Sequence, residues 1–217
     1  MPNPAKSLPK NSDLIGNYCR LESLKEAAHG QDLWQFIGSK KDIWTYLMNG
    51  SWEKEDDFQN WLKACETNVS RTYWAVIDPK LNSALGILCL MDFNLDHAST
   101  EIGGIAFSKN LQKTTIASEA VYLLLKNAFE DLGFRRVQWK CNSNNEASKK
   151  AALRFGFTYE GTFRQHMIIK GENRDTAFFS IIDSEWQNRK TVFDKWLDNN
   201  NFDENGKQIK RLEDFRL

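Results

Sequence analysis

A chain of 217 residues with 41% hydrophobic content and no apolar run of transmembrane length is bounded to one sizeable or two small soluble domains, and one domain is the better reading. Its 29 basic and 29 acidic residues cancel, and the basic ones are spread out. That balance excludes the electrostatic footprint of a nucleic-acid binder or of a protein held on an anionic membrane.

In chain order, residues 1–13 (MPNPAKSLPKNSD) hold three of the four prolines and lack the apolar core of a secretory signal, so export is not indicated and a flexible arm with little to bury is expected. The single domain is placed at residues 14–198, and a charged, weakly patterned, peripheral tail at 199–217. A first strand is expected near Tyr18–Leu24, followed from Lys25 to about Ser70 by polar helical sequence rich in tryptophan: Trp34, Trp44, Trp52 and Trp61. Phe58, Trp61, Leu62 and Cys65 fall on one helical face. The indoles either fill a core beneath this helical flap or line a pocket, and Trp44 and Trp52, between helices, are the better pocket candidates.

Strands at Thr72–Ile77 and Ala84–Met91 flank the turn formers Asp78, Pro79, Asn82 and Ser83, which predicts an antiparallel hairpin. The loop DFNLDHAST leads to a nearly continuous apolar strand, Ile102–Phe107, of the kind that suits a central position. Beyond a short polar loop, Ala117, Val121, Leu124, Leu125, Ala128 and Leu132 recur at spacings of three and four, and Gly133 supplies a C-terminal stop. A helix entered this way gathers loop amides and unpaired first-turn N–H groups at one point, where a phosphate or pyrophosphate is the natural guest. A strand at Arg136–Cys141 follows, then a helix opened by an S-x-x-E capping box at Ser143 and Glu146 and ended by Gly156. Strands at Thr158–Phe163 and Gln165–Lys170, a KGEN turn, a long strand at Asp175–Asp183 and a helix at about Ser184–Leu197 close the domain. The pattern is α+β, a mixed α/β sheet flanked by helices.

Cys19, Cys65, Cys89 and Cys141 lie far apart and form no CxxC pair, so they read as reduced core thiols of a cytoplasmic protein. His29, His97 and His166 have no metal-ligand spacing, and no metal is expected. Neither a G-x-G-x-x-G nor a GK[ST] loop is present, which argues against a dinucleotide or nucleoside triphosphate enzyme.

The ordered run of EIGG (Glu101–Gly104), the strand, loop and helix to Leu132, the strand from Val137 to Cys141, NxxS (Asn145–Ser148) and RFGF (Arg154–Phe157) resembles the GCN5-related N-acetyltransferases. Within them the chain is similar to the branch containing the ribosomal-protein N-terminal acetyltransferases, through EIGG, SEAVYLLLKNAFEDLGFRRVQWK and FFSIIDSEW, over about Tyr18 to Trp186. The resemblance implies a central sheet with two splayed strands, acetyl-coenzyme A as co-substrate, an amine acceptor that is a small molecule or a protein N-terminus, and a monomer or homodimer.

It also implies site residues. The family loop Q/R-x-x-G-x-G/A, which wraps the coenzyme pyrophosphate, matches Gln112-Lys113-Thr114-Thr115-Ile116-Ala117, with Ser118 following; Thr115 stands where the first glycine should be. A β-branched residue resists positive φ, so the loop is expected to stay in ordinary φ space, with the hydroxyls of Thr114, Thr115 or Ser118 and the charge of Lys113 toward phosphate. Alternatively TTIAS only caps the helix. The backbone of Ile105, Ala106 and Phe107 would pair with the pantetheine arm, Asn145 would contact that arm or simply cap its helix, and Lys149 would reach the nucleotide phosphates. Glu101 is the base candidate. The position of the family's acidic tyrosine, four residues before Gly156, is Ala152, so Ser148 or a water is left to return the proton. His97, on the loop before the central strand, joins Trp44 and Trp52 as a candidate for the acceptor pocket. The competing expectation is a non-catalytic acyl-coenzyme A binding or sensing module with a degenerate pyrophosphate loop.

Overall fold

The computed structural model describes residues 5–10 and 12–216; residues 1–4, 11 and 217, which include part of the expected N-terminal arm, lie outside this description. Eight strands form one sheet: β1 (Leu14–Ile15), β2 (Arg20–Ser23), β3 (Arg71–Asp78), β4 (Ser83–Asn94), β5 (Ser99–Phe107), β6 (Arg136–Asn142), β7 (Thr158–Ile169) and β8 (Glu172–Ile182). Their spatial order is β1-β2-β3-β4-β5-β6-β8-β7. Every neighbouring pair is antiparallel except β5 and β6, which run parallel. The helices are α1 (Glu26–Leu33), α2 (Lys41–Trp44), α3 (Glu55–Glu66), α4 (Thr115–Lys126), α5 (Glu146–Phe155) and α6 (Asp183–Trp196). This is the mixed α/β sheet read from the sequence.

The two faces of the sheet carry different helices because alternate residues of each strand point opposite ways. Trp74, Val76, Leu88 and Leu90 meet α4 and α6 in the larger core, while Tyr73, Ala75, Ile77, Cys89 and Met91 meet α1, α2 and α3 in the smaller one. Helix α4 is buried from Ala117 to Leu125 without a break because α6 covers the side turned away from the sheet. There the rings of Tyr122 and Phe193 stack with centroids 5.0 Å apart, and the Tyr122 hydroxyl donates to Asp194. Glu119, on α4, is buried but accepts hydrogen bonds from the backbone N–H groups of Asn17, Tyr18 and Cys19 at 2.8, 2.6 and 2.7 Å, which fastens the β1–β2 turn to the helix.

Several expectations need correction. The strands expected at Thr158–Phe163 and Gln165–Lys170 are one strand, β7, kinked where Gln165 adopts φ 49° and the register with β8 shifts. The KGEN turn narrows to Lys170 and Gly171, both at positive φ, because Glu172 and Asn173 already pair with β7. Ser143 and Glu146 form no capping box: Asn145 is the N-cap of α5, its side chain accepting from the N–H of Ser148 at 3.0 Å. The arm is not bare of contacts, since Ala5 is buried and bonded to Leu95, and Lys6 donates its N–H to Leu132. Nor is the tail peripheral throughout: Leu212 is fully buried, and Asn201 is tied to Trp196 and Lys210.

Candidate active site

The EIGG sequence builds the site by separating two strands. β5 and β6 pair only from Ser99–Glu101 against Arg136–Gln138, after which β5 stays with β4 and β6 with β8. The divergence coincides with a bulge, since Cys89 faces Gly103 whereas Ile87 faces Ala106, leaving one extra residue on β5. Gly104 supplies the left-handed backbone there, at φ 58°, and a Cβ on it would come within 2.9 Å of the Cys89 sulfur. A Cβ on Gly103 would lie 2.8 Å from the Met91 sulfur and 3.1 Å from Glu101 Oε1, so that glycine leaves room for the carboxylate. A cleft of about 1300 Å³ opens along the fork. It is bounded by β5, the loop before α4, the cleft face of α5, and the segment from Asp42 to Asn49.

At one end of the cleft the loop 112–118 turns into α4. Thr114 is the N-cap: its hydroxyl donates to the Leu111 carbonyl at 2.7 Å and accepts from the Ala117 N–H at 3.1 Å. The expectation that the loop stays in ordinary φ space fails at Lys113, which adopts φ 63°. Thr115 is the first residue of the helix, so its branched side chain sits in helical backbone and needs no glycine. Gln112, Lys113, Thr114, Thr115, Ala117 and Ser118 line the cleft, whereas Ile116 packs against the core. The Gln112 amide donates to the Phe107 carbonyl at 2.8 Å, holding the loop to the end of β5. Ile105 and Phe107 also line the cleft; the intervening Ala106 is fully buried on the opposite face of β5.

Glu101 stands at the fork, 4% exposed. Burial pushes its carboxyl up to about 7, against the pull of Lys140 and with the push of the neighbouring Asp92 carboxylate. Lys140 Nζ lies 2.7 Å from Glu101 and 2.8 Å from Asp92; the contact with Glu101 is close but poorly aligned for a hydrogen bond. Asp92 is held below its usual range: burial acts against this, and Lys140 outweighs it. The arrangement is a carboxyl pair bridged by one ammonium, in which the more buried member has the higher affinity for a proton.

A strand fork, a capped helix aimed at one end and a buried carboxyl at the branch point together match a known domain. The family model described as "Acetyltransferase (GNAT) domain" covers residues 20–158, more than half of the chain. The chain belongs to the GNAT acetyltransferase family. A GCN5-related N-acetyltransferase from Brucella melitensis superposes with a TM-score of 0.94 at 36% identity, over 99% of this chain and 97% of that one. A probable GNAT-family acetyltransferase structure from Chromobacterium violaceum ATCC 12472 gives 0.79 at 39% identity, over 85% and 92%. The Bacillus subtilis (strain 168) protein named "Putative ribosomal N-acetyltransferase YdaF" is 29% identical over 108 residues, 50% of this chain and 58% of its own length. The chain spans only about half to three fifths of the length of the curated relatives it matches. The family draws its acetyl group from acetyl-coenzyme A.

For a GNAT domain, the remaining candidates divide. Asn145 and Ser148 line the cleft, although the Asn145 side-chain oxygen is engaged as the cap of α5. The Ser148 hydroxyl accepts the indole N–H of Trp139 at 2.9 Å. Lys149 points elsewhere, paired with Glu146 at 2.5 Å; Lys150 and Arg154 face the cleft in its stead. The signal was available in the sequence, because Ala147, Lys150, Ala151 and Arg154 recur at helical spacing on one face of α5. Arg154 donates to the Ser118 hydroxyl at 3.0 Å, tying α5 to the start of α4. Phe202, Gly206, Lys207 and Gln208 of the tail also line the cleft, held by a 2.8 Å bond from the Trp196 indole to Gln208.

Trp44 is at once a core residue and a residue of the cleft wall. It is buried, donates to the Ile37 carbonyl at 2.7 Å, packs edge-on against Trp52 and Trp61, and still lines the cleft. Trp61 lines it as well, while Trp52 is confined to the aromatic cluster of the flap. His97 lies outside the cleft: β4 runs on to Asn94 and β5 starts at Ser99, leaving a short exposed turn in which the His97 N–H is bonded to Asn94. Arg71, Tyr73, Lys140 and Arg174 were not anticipated and line the cleft beside Glu101. They come from β3, β6 and β8, strands that sequence distance does not connect.

Proposed function

We propose that this protein transfers the acetyl group of acetyl-coenzyme A to a primary amine, on a small molecule or a protein N-terminus, by direct attack in a ternary complex. The observation that carries the reading is the fork between β5 and β6, with Glu101 at its branch point. The unpaired inner edge of β5 beyond Glu101 offers main-chain groups to the pantetheine arm. First-turn N–H groups of α4, the Lys113 side chain and Arg154 face the diphosphate at the other end. The amine nitrogen attacks the thioester carbonyl, a C–N bond forms, and the C–S bond breaks. Glu101, directly or through water, takes the proton the nitrogen loses and later releases it to solvent, and the departing thiolate recovers one from water or from the Ser148 hydroxyl, which water reprotonates in the same relay. A base whose affinity for protons lies near neutrality is matched to that task, which supports turnover over mere coenzyme binding. Four free, buried cysteines fit a cytoplasmic setting, and the protein acts as a monomer or homodimer. Among the described residues no helix is long and apolar enough to cross a membrane.

The test is thiol release from acetyl-coenzyme A with a panel of small amines and N-terminal peptides, alongside calorimetry with coenzyme A. Turnover of at least one acceptor class is expected. Coenzyme binding without any turnover would favour the acyl-coenzyme A sensing module, and absence of binding would remove both readings.

A further inference from the structure

The acceptor half of the cleft carries more positive charge than its neighbours neutralise. Arg71, Met91 and Glu101 form a cross-strand row on the sheet face that also bears α1 to α3, and Lys140 and Arg174 project from the same face farther along. Lys140 is shared between Glu101 and Asp92. Among the described residues Arg174 and Arg71 have no such partner. Among the described residues the arginines that reach a carboxylate are Arg20, Arg136 and Arg211. Arg174 is 8% exposed, lines the cleft, and its Nε is enclosed without any hydrogen-bond acceptor. Arg71 finds only the Tyr73 hydroxyl, at 3.3 Å.

A buried guanidinium without an acceptor is costly unless a ligand supplies one. Acetyl-coenzyme A brings no anion there, because its phosphates belong at the α4 end and the carbonyls of its pantetheine and thioester are neutral acceptors that leave the guanidinium charge unmatched. Resting on the transferase reading above, we infer that the acceptor is a small amine that also bears a carboxylate, an amino acid, held through that carboxylate by Arg174 with its amine toward Glu101. Planar guanidinium groups suit a carboxylate through paired N–H donors. Trp44, Trp61 and Leu47, also on the cleft wall, leave an apolar surface for a side chain and none of the acidic lining a polyamine would need beyond the already paired Glu101 and an exposed Asp42–Lys109 pair.

The experiment compares kcat/KM for amino acids with that for their matched amides and decarboxylated amines, in the intact protein and in Arg174→Gln and Arg174→Lys. In the parent the carboxylates are preferred about ten- to hundred-fold, and that preference collapses in Arg174→Gln through KM and is partly kept in Arg174→Lys. A second readout does not need turnover: calorimetric titration of the protein with an N-acetyl amino acid and with its amide, in the parent and both Arg174 variants, with melting curves to establish that each is folded. Binding of the acid alone, weakened by either substitution, supports the inference. Equal handling of acid and amide, preference for peptides or polyamines, or failure of the N-acetyl amino acid to bind overturns it. These results leave the transferase reading standing, because that reading falls only if no amine is acetylated.

Discussion

The two ends of the cleft are made of different material. The α4 end is built largely from main chain, with the Lys113 and Arg154 side chains beside it: the inner edge of β5, the loop 112–118 and the first turn of a helix whose cap is a single threonine hydroxyl. The acceptor end is built from side chains, with Glu101, Lys140, Arg71 and Arg174 brought from four strands to one face of the sheet. Main-chain donors exist whatever the side chain, so the first end tolerates Thr115 in place of the family glycine. A charge network depends on every member. Substitutions should therefore be severe at the acceptor end and mild at the coenzyme end.

The largest effect is expected at Glu101. Glu101→Gln removes the base while keeping its shape, and kcat should fall by about 10²- to 10⁴-fold in a thiol-release assay, with calorimetric affinity for coenzyme A close to that of the parent. The same residue fixes the pH dependence. Burial raises its carboxyl to about 7, and a base works only when deprotonated, so kcat/KM should climb as pH rises through about 7 and level off above it. That limb should be missing from the residual activity of Glu101→Gln. A parent profile flat between pH 5.5 and 8.5, values chosen to span roughly 1.5 units on either side of that point, would remove Glu101 as the base.

Next in size is the glycine that opens the fork. Gly104→Ala places a Cβ at φ 58° and within 2.9 Å of the Cys89 sulfur. The left-handed backbone alone costs about 1–2 kcal/mol for an L-residue, which a chemical denaturation midpoint would register. Because the bulge sets the separation of β5 from β6, activity should drop further than stability accounts for. If the variant is as stable as the parent, the bulge is not what holds the strands apart.

The same contrast explains what could be read before the structure. Helix α4, which continues through a wider helical turn at Asn127–Asp131 to reach Gly133 at φ 71°, and the hairpin around Asp78–Ser83 follow from local periodicity and turn chemistry, so they were legible. EIGG was legible as a motif, although why it needs two glycines appears only with Met91, Cys89 and Glu101 assembled around them. Arg71 and Arg174 were invisible because they are about a hundred residues apart in sequence and come to the same face and cleft only through sheet order β3-β4-β5-β6-β8. Lys149 and Lys150 are equally basic neighbours, and only the rotation of α5 decides which faces the cleft. His97 was misplaced because the length of β4 was underestimated by a few residues, which turned a wall of the pocket into a surface turn.

The coenzyme end should yield the smallest effects. Thr114→Ala deletes the cap on the Ala117 N–H and is expected to lower stability by about 1 kcal/mol, with Thr114→Ser restoring most of it in the same melting experiment. Thr115→Gly is the sharper test of how the loop works. If the family glycine were missing from a position that needs positive φ, restoring it would relieve strain and tighten coenzyme binding. Here positive φ falls on Lys113, and Thr115 already lies in the helix. The glycine should then lower stability by only about 0.3 kcal/mol, the difference in helix propensity between threonine and glycine, and leave the calorimetric Kd for coenzyme A unimproved. Tighter binding by Thr115→Gly would mean that the loop rearranges around the diphosphate, and the main-chain account of this end would have to be redrawn around residue 115.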